Sequence, residues 1–300
     1  MSRKAVLATI SLPIDERSVQ PGVNIERALK LIDELSPWKP DLVVLPEEID
    51  VLFGIPYEES RKMGETVPGG PIQQKFKEAA VKCNTNLVLS IREREGKHVY
   101  NTSIVIDRQG RYIGKYRKTH LAPSEEVDVS PGDSYPVFEL DFGTIGITVC
   151  MELHYPEIWT ILALQGADVI VHPTAAIDYT GSLNESLINA RAIDNQIYVV
   201  TSHYVKMPYL AGNPMGHSRI VDPYGRTRAD TGHRPGVAVA AVDLDESYEY
   251  WATGETKKKY PTLKECFLGM RRPETYGILA RPDSENKWKI KAPVLYNNGE

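Results

Sequence analysis

Apolar positions in the first fifty residues follow two different periods. Residues 5–12 form a β-type run, and residues 42–45 are continuously apolar, which is typical of a strand buried on both faces. Between these runs, apolar residues recur at the spacing of one helix face. They are Ile25, Ala28, Leu29, Ile32 and Leu35. The order strand, helix, strand predicts a sheet that is covered by a helix.

The same alternation continues along most of the chain. Helices are predicted at residues 72–83, 158–164 and 185–196, and strands at residues 86–92, 102–106, 112–118, 144–149, 169–172, 198–202, 218–221 and 237–242. Two similar hairpin turns, DRQG and DPYG, occur in the two halves of the chain. The pattern predicts an α/β fold with one domain over residues 1–280. A tail at residues 281–300 is expected to pack on the domain or on a partner subunit.

Composition and charge exclude several classes of protein. A net charge of -5 gives no reason to expect nucleic acid or an anionic membrane surface as a partner. No apolar run approaches the ~18 residues that span a bilayer. The three cysteines, Cys83, Cys150 and Cys266, lie far apart, which argues against a disulfide framework or a thiolate zinc site. We therefore expect a cytoplasmic protein without a metal or other cofactor.

Polar groups capable of catalysis follow several predicted strands. Glu47, Lys118 and Cys150 each come at a strand end, as does the corner His172-Pro173-Thr174. The carboxyl ends of strands in an α/β sheet converge on the crevice where ligands bind. A carboxylate to take a proton, a thiolate to attack and an ammonium to stabilise an oxyanion together make an acyl-transfer site.

Each of these residues also has a structural interpretation when it is considered singly. Cys150 fits a small core residue, Glu47 a surface pair with Glu48, and Lys118 an exposed basic edge. Redox sensing through Cys150 is a further alternative, although no second cysteine lies nearby in sequence. The occurrence of all three groups at strand ends favours the catalytic interpretation.

Three segments resemble the signature blocks of the carbon–nitrogen hydrolase family, also called the nitrilase superfamily. The segments are VVLPEE, GKYRKTHL and ITVCMELHYPE. Five further segments support the resemblance: SPGD, HPTA, NARAIDNQIYVV, GHSRIVDPYG and RRPETYG. The resemblance covers roughly residues 5–279. It implies a four-layer α-β-β-α sandwich and homodimers or larger homo-oligomers.

The resemblance also implies roles for individual residues. Glu47 would be the general base, Lys118 the oxyanion-stabilising cation and Cys150 the nucleophile. The N–H of Met151 would be a second oxyanion donor. A second glutamate is expected before the PGD turn; Glu125 fits its spacing best, and its neighbour Glu126 remains open. No metal is needed for this chemistry.

The segment after the cysteine indicates the branch of the family. CME followed by YPE looks more like amidases and carbamoyl hydrolases than like nitrilases, although Met151 and Glu152 depart from the common pattern. We predict a hydrolase that cleaves a non-peptide C–N bond of a small amide or N-carbamoyl compound through a cysteine thioester, releasing ammonia or an amine. A nitrilase and a non-catalytic binding scaffold are the alternatives. The predicted substrate contacts are Tyr57, His154, Thr174 and Ala175.

Overall fold

The computed structural model describes residues 2–50, 62–176, 183–205, 216–248 and 259–280. The predicted contact Tyr57 and the predicted tail at 281–300 lie outside these ranges, and the domain boundary stays a prediction. The helices are α1 (Val23–Glu34), α2 (Pro71–Cys83), α3 (Pro156–Leu164), α4 (Leu183–Asn195) and α5 (Leu263–Gly269). None of these helices is long and apolar enough to span a membrane in the described part of the chain.

The strands form two sheets. They are β1 (Lys4–Pro13), β2 (Leu42–Val44), β3 (Asn86–Glu95), β4 (His98–Ile106), β5 (Tyr112–Arg117), β6 (Val137–Glu139), β7 (Thr144–Ile147), β8 (Val169–Pro173), β9 (Tyr198–Ser202), β10 (Tyr204–Val205), β11 (Arg219–Val221), β12 (Thr227–Asp230) and β13 (Gly236–Asp243). The first sheet has the order β10-β1-β2-β3-β4-β5, with β13 antiparallel to β1. The second has the order β12-β11-β9-β8-β7-β6.

The two sheets pack face to face around a central apolar layer. Leu7, Val44 and Val88 of the first sheet are fully buried in the same cluster as Ile147 and Val171 of the second sheet. Helices α1 and α2 cover the outer face of the first sheet, and α3 and α4 cover the outer face of the second. The predicted four-layer α-β-β-α sandwich is therefore confirmed.

Parallel pairing brings several strand ends together. In the first sheet β1, β2 and β3 are parallel, and in the second sheet β7, β8 and β9 are parallel. The segments after β2 and β7 therefore leave each sheet at the carboxyl edge of its parallel strands. Both predicted hairpin turns lie where the sequence places them, between β4 and β5 and between β11 and β12.

The structure differs from the sequence-based expectation in a few elements. The strand predicted to reach Val149 ends at Ile147, because the Val149 N–H donates to the Glu152 carboxylate at 2.8 Å instead of to a neighbouring strand. The short strands β6 and β12 and the helix α5 were not predicted from the sequence. Each of them has too few residues to show a clear period.

Candidate active site

Three strand ends bring a carboxylate, an ammonium and a thiol together. Glu47 follows β2, Lys118 follows β5, and Cys150 begins a short helical turn, Cys150–His154, after β7. Lys118 Nζ donates to Glu47 Oε1 at 2.9 Å, and the Glu47 carboxylate lies close enough to the Cys150 thiol to raise the pKa of the thiol. The first two groups come from the first sheet and the thiol comes from the second, so the site lies where the two sheets meet.

Lys118 is a buried cation between two carboxylates. Its Nζ also donates to Glu125 Oε2 at 2.6 Å. Burial lowers the pKa of Lys118, but the negative charges of Glu47 and Glu125 outweigh burial and raise this pKa well above its usual value. The ammonium therefore stays charged over the whole neutral range. Of the two candidate glutamates, Glu125 makes this contact, whereas Glu126 lines a surface groove with Arg94 and Lys97.

Cys150 has a strained backbone and a protonated side chain. Its φ of 50° lies in the left-handed region, which residues other than glycine rarely adopt. Burial and the neighbouring Glu47 carboxylate raise the pKa of the thiol, although Lys118 opposes this effect. The resting side chain is therefore a neutral thiol, which has to lose its proton to a base when it attacks.

The two oxygens of Glu47 are in different environments. Oε1 accepts hydrogen bonds from Lys118 Nζ at 2.9 Å and from Asn101 Nδ2 at 2.8 Å. Oε2 accepts one hydrogen bond, from the Ala175 N–H at 2.8 Å, among the described residues. A carboxylate oxygen has two lone pairs, so Oε2 retains the capacity to take a proton. The Tyr204 hydroxyl holds the Glu47 carbonyl at 2.8 Å and fixes the backbone of this residue.

A buried arginine joins the backbones that carry the two glutamates. Arg92 Nε lies 3.2 Å from Glu48 Oε1, and Arg92 Nη1 lies 2.7 Å from Asp128 Oδ2. Glu48 is adjacent to Glu47, and Asp128 lies on the same turn as Glu125. Burial raises the pKa of Glu48, and the charge of Arg92 acts in the opposite direction. The sequence analysis missed Arg92, whose position inside an apolar strand is the only signal for it.

Glu152 joins the segments that carry Lys118 and Cys150. Its Oε1 accepts hydrogen bonds from the Thr119 N–H at 2.9 Å, the Thr119 hydroxyl at 2.7 Å and the Tyr116 hydroxyl at 2.5 Å. Its Oε2 accepts from the Val149 N–H. Burial raises the pKa of Glu152, but hydrogen bonds from His120, Tyr116 and Thr119 outweigh burial and hold this pKa below its usual value. Glu152 is therefore an ionised link between the two sheets.

The predicted substrate contacts have varied positions. His154 is exposed at the end of the Cys150–His154 turn. Thr174 is buried, and its hydroxyl accepts from the Ala176 N–H at 3.1 Å. The Ala175 N–H faces Glu47, as described above. These three contacts and the oxyanion role of Met151 stay predictions. No group of three or more metal-ligating side chains occurs within the described ranges.

Comparisons with known proteins identify the family of this chain. Residues 7–251 match the carbon-nitrogen hydrolase family. The omega-amidase NIT2 of Homo sapiens is 31% identical over 266 residues, which cover 85% of this chain and 91% of that protein. The deaminated glutathione amidase of a Synechocystis species is 30% identical over 243 residues, which cover 74% of this chain and 86% of that protein.

A solved structure shows the same fold. Nit3 of Saccharomyces cerevisiae, a member of branch 10 of the nitrilase superfamily, superposes with a TM-score of 0.73 at 28% identity. The match covers 81% of this chain and 91% of that one. The predicted family, and with it the predicted class of enzyme, is confirmed. The chain belongs to the carbon–nitrogen hydrolase family.

Proposed function

We propose that the protein is an amidase that hydrolyses a small primary carboxamide to a carboxylic acid and ammonia. The observation that carries this proposal is the position of one carboxylate, Glu47, which accepts from the Lys118 ammonium at 2.9 Å and lies close enough to the Cys150 thiol to raise its pKa. The names of the similar proteins, omega-amidase and deaminated glutathione amidase, support an amide as the substrate. N-carbamoyl compounds remain within the proposed substrate class.

The first half of the reaction forms a thioester. Glu47 Oε2 takes the thiol proton while Cys150 Sγ bonds to the amide carbon. The negative charge that develops on the carbonyl oxygen is stabilised by Lys118 Nζ and the Met151 N–H. The C–N bond then breaks, and the nitrogen leaves as ammonia with the proton that Glu47 held. Since the thiol is neutral at rest, this proton transfer has to accompany the attack.

The second half of the reaction releases the acid. Glu47 takes a proton from a water molecule, whose oxygen attacks the thioester carbon. The C–S bond breaks, and Cys150 Sγ regains a proton from Glu47. One water is consumed for each amide cleaved. Glu125 holds Lys118 in place through both half-reactions, because their contact does not involve the reacting atoms.

Replacement of the nucleophile tests this proposal. We expect Cys150→Ala to lower ammonia release from a panel of primary amides by at least about a thousandfold. The wild-type protein, quenched during turnover, should gain the mass of the acyl group. Cys83→Ala is the matched control, since Cys83 is a buried free cysteine outside the site. Full turnover by Cys150→Ala would show that the proposal is wrong.

The same assay separates the alternative functions. Ammonia release from nitriles but not from amides would identify a nitrilase. No release from either panel, with Cys150 unreactive towards iodoacetamide, would favour a binding scaffold. We also propose that the protein is a cytoplasmic homo-oligomer. Sedimentation of a strict monomer of 33.6 kDa would contradict the oligomer.

A further inference from the structure

Asn101 places a neutral amide between the two carboxylates of the site. It lies on β4 and is fully buried. Its Nδ2 donates to Glu47 Oε1 at 2.8 Å and to Glu125 Oε1 at 3.0 Å. Each of the two N–H bonds of this group is therefore directed at a different glutamate.

Asn101 and Lys118 join the same pair of carboxylates. Lys118 Nζ contacts Glu47 Oε1 at 2.9 Å and Glu125 Oε2 at 2.6 Å, so the four side chains form a closed ring of hydrogen bonds. The two carboxylates, which share the same donors, would repel each other if those donors did not lie between them. Asn101 therefore supplies a second link between the two glutamates, beside the one that Lys118 makes.

The orientation of the Asn101 amide follows from these charges. With the amide reversed, its oxygen would face two negatively charged carboxylates, so the observed orientation is the favourable one. In this orientation Asn101 Oδ1 is buried without a hydrogen-bond partner among the described groups. An unpaired buried carbonyl destabilises the folded state. Asparagine is therefore favoured at this position by the two hydrogen bonds that its N–H groups donate to Glu47 and Glu125.

We propose that Asn101 is a positioning residue that holds Glu47 and Glu125 so that Glu47 Oε2 faces the thiol. This inference rests on the proposed role of Glu47 as the base. By accepting from Asn101 and Lys118, Oε1 is saturated, and the proton of Cys150 goes to Oε2. Asn101 does not touch the reacting atoms and acts only through the two glutamates.

Substitutions that separate shape from hydrogen bonding test the proposal. Asn101→Asp keeps the shape but replaces the N–H donors with a third carboxyl beside Glu47, Glu125 and Lys118. We expect kcat for amide hydrolysis to fall about a thousandfold in this variant and about tenfold to a hundredfold in Asn101→Ala, with KM changed less than about threefold. Ser103→Ala is the control, because Ser103 is buried on the same strand.

The pH profile gives a readout that a purely structural role would not affect. Other charged groups near the amide are Arg92, paired with Asn101 across β3 and β4, and its partners Glu48 and Asp128. Three carboxyls around Lys118 cannot all be ionised. Activity of Asn101→Asp should therefore recover partly at lower pH, where the introduced carboxyl is protonated and donates, whereas Asn101→Ala should show no recovery.

A double-mutant cycle gives a second readout. If Asn101 acts through Glu125, Asn101→Ala should cost much less activity in a Glu125→Gln background than in the wild type. Additive losses, or Asn101→Asp as active as Asn101→Ala at every pH, would overturn the proposal. Asn101→Leu, which keeps the volume without adding a charge, replaces Asn101→Asp if that variant does not fold. A wild-type protein that cleaves no amide would instead refute the proposed function.

Discussion

At the scale of single residues, Lys118 has the most demanding environment. Its side chain is fully buried, and the two carboxylates that contact it are nearly so. Taking an ammonium out of water costs several kcal/mol, which close carboxylates offset. The residue therefore stabilises the fold only as part of the group that it forms with Glu47 and Glu125.

Removal of the ammonium should affect both stability and activity. We expect Lys118→Met to lower the free energy of unfolding by about 3–5 kcal/mol, because two buried carboxylates lose their cation. Activity should fall below detection. The raised pKa keeps Lys118 charged throughout the neutral range in the wild type. In Lys118→Met one of the two carboxylates left without a cation should take up a proton as the pH falls, so the loss of stability should be smaller at lower pH.

An exposed ion pair supplies the control for this measurement. Lys82 lies 2.5 Å from Asp33 on the protein surface. Lys82→Met should leave the urea midpoint and the activity unchanged, because exposed pairs contribute little to stability. Equal effects of the two substitutions on the urea midpoint would contradict this account of Lys118.

Three residues of the site could be predicted from their places in the sequence, whereas Asn101 could not. Glu47, Lys118 and Cys150 stand at strand ends, where a polar residue after an apolar run is conspicuous. Asn101 lies inside a strand, and its partner Glu47 is 54 residues away. Such a contact depends on how β2 and β4 are arranged in the sheet, and no local pattern contains that information.

At the scale of elements, the Cys150–His154 turn is fixed by hydrogen bonds to the Glu152 side chain. This carboxylate caps the turn through the Val149 N–H and contacts the segment after β5 through Thr119. Loss of either of these two contacts of Glu152 would change the distance between Lys118 and Cys150. The position of the thiol therefore depends on the Glu152 side chain, which contacts both segments.

Glu152→Gln tests this link. The amide group places an N–H against donors, so we expect the free energy of unfolding to fall by about 1–3 kcal/mol and kcat to fall at least about tenfold. Glu157→Gln, an exposed change at the start of α3, should alter neither quantity. An active Glu152→Gln variant with wild-type stability would contradict the positioning role.

The pH dependence of stability distinguishes the charge of Glu152 from its shape. The pKa of Glu152 in the folded state is lowered from its ordinary value of 4.5. Its ionised carboxylate therefore contributes to the free energy of unfolding above pH 4.5, and this contribution is lost as the pH falls below 4.5 through the lowered pKa. The free energy of unfolding of Glu152→Gln should therefore depend less steeply on pH below about pH 4.5 than that of the wild type. Parallel curves in urea titrations would show that Glu152 is not ionised.

Elements with a clear apolar pattern were predictable, and short elements without such a pattern were not. The helix at residues 72–83 and the continuous strand after Asp41 follow from their apolar spacing. Strand β12, with mostly exposed residues, has no apolar face to reveal it. It forms because the turn at residues 222–225 returns the chain along β11. Tertiary pairing decides such a segment.

At the scale of the whole molecule, the site exists only when the two sheets are packed together. Glu47, Lys118 and Asn101 belong to the first sheet and Cys150 to the second, with the central apolar layer between them. The four-layer arrangement itself followed from the resemblance of sequence blocks, because alternating strands and helices alone allow one sheet or two. Packing of the layers is therefore a condition for catalysis.

Loss of activity should accompany global unfolding. We expect ammonia release and the native tryptophan emission, to which Trp159 on α3 contributes as a fully buried side chain, to be lost at the same urea concentration. The far-ultraviolet circular dichroism should follow the same curve. Activity that vanishes well below the transition of Trp159 would indicate that the site opens while the sheets stay packed.

The left-handed backbone of Cys150 has a consequence for protein engineering. A side chain at a φ of 50° costs about 1–2 kcal/mol relative to glycine in that conformation. A search for thermal tolerance that ignores turnover would therefore favour glycine at position 150, and would discard the nucleophile first. Libraries screened only by melting temperature should keep this codon fixed.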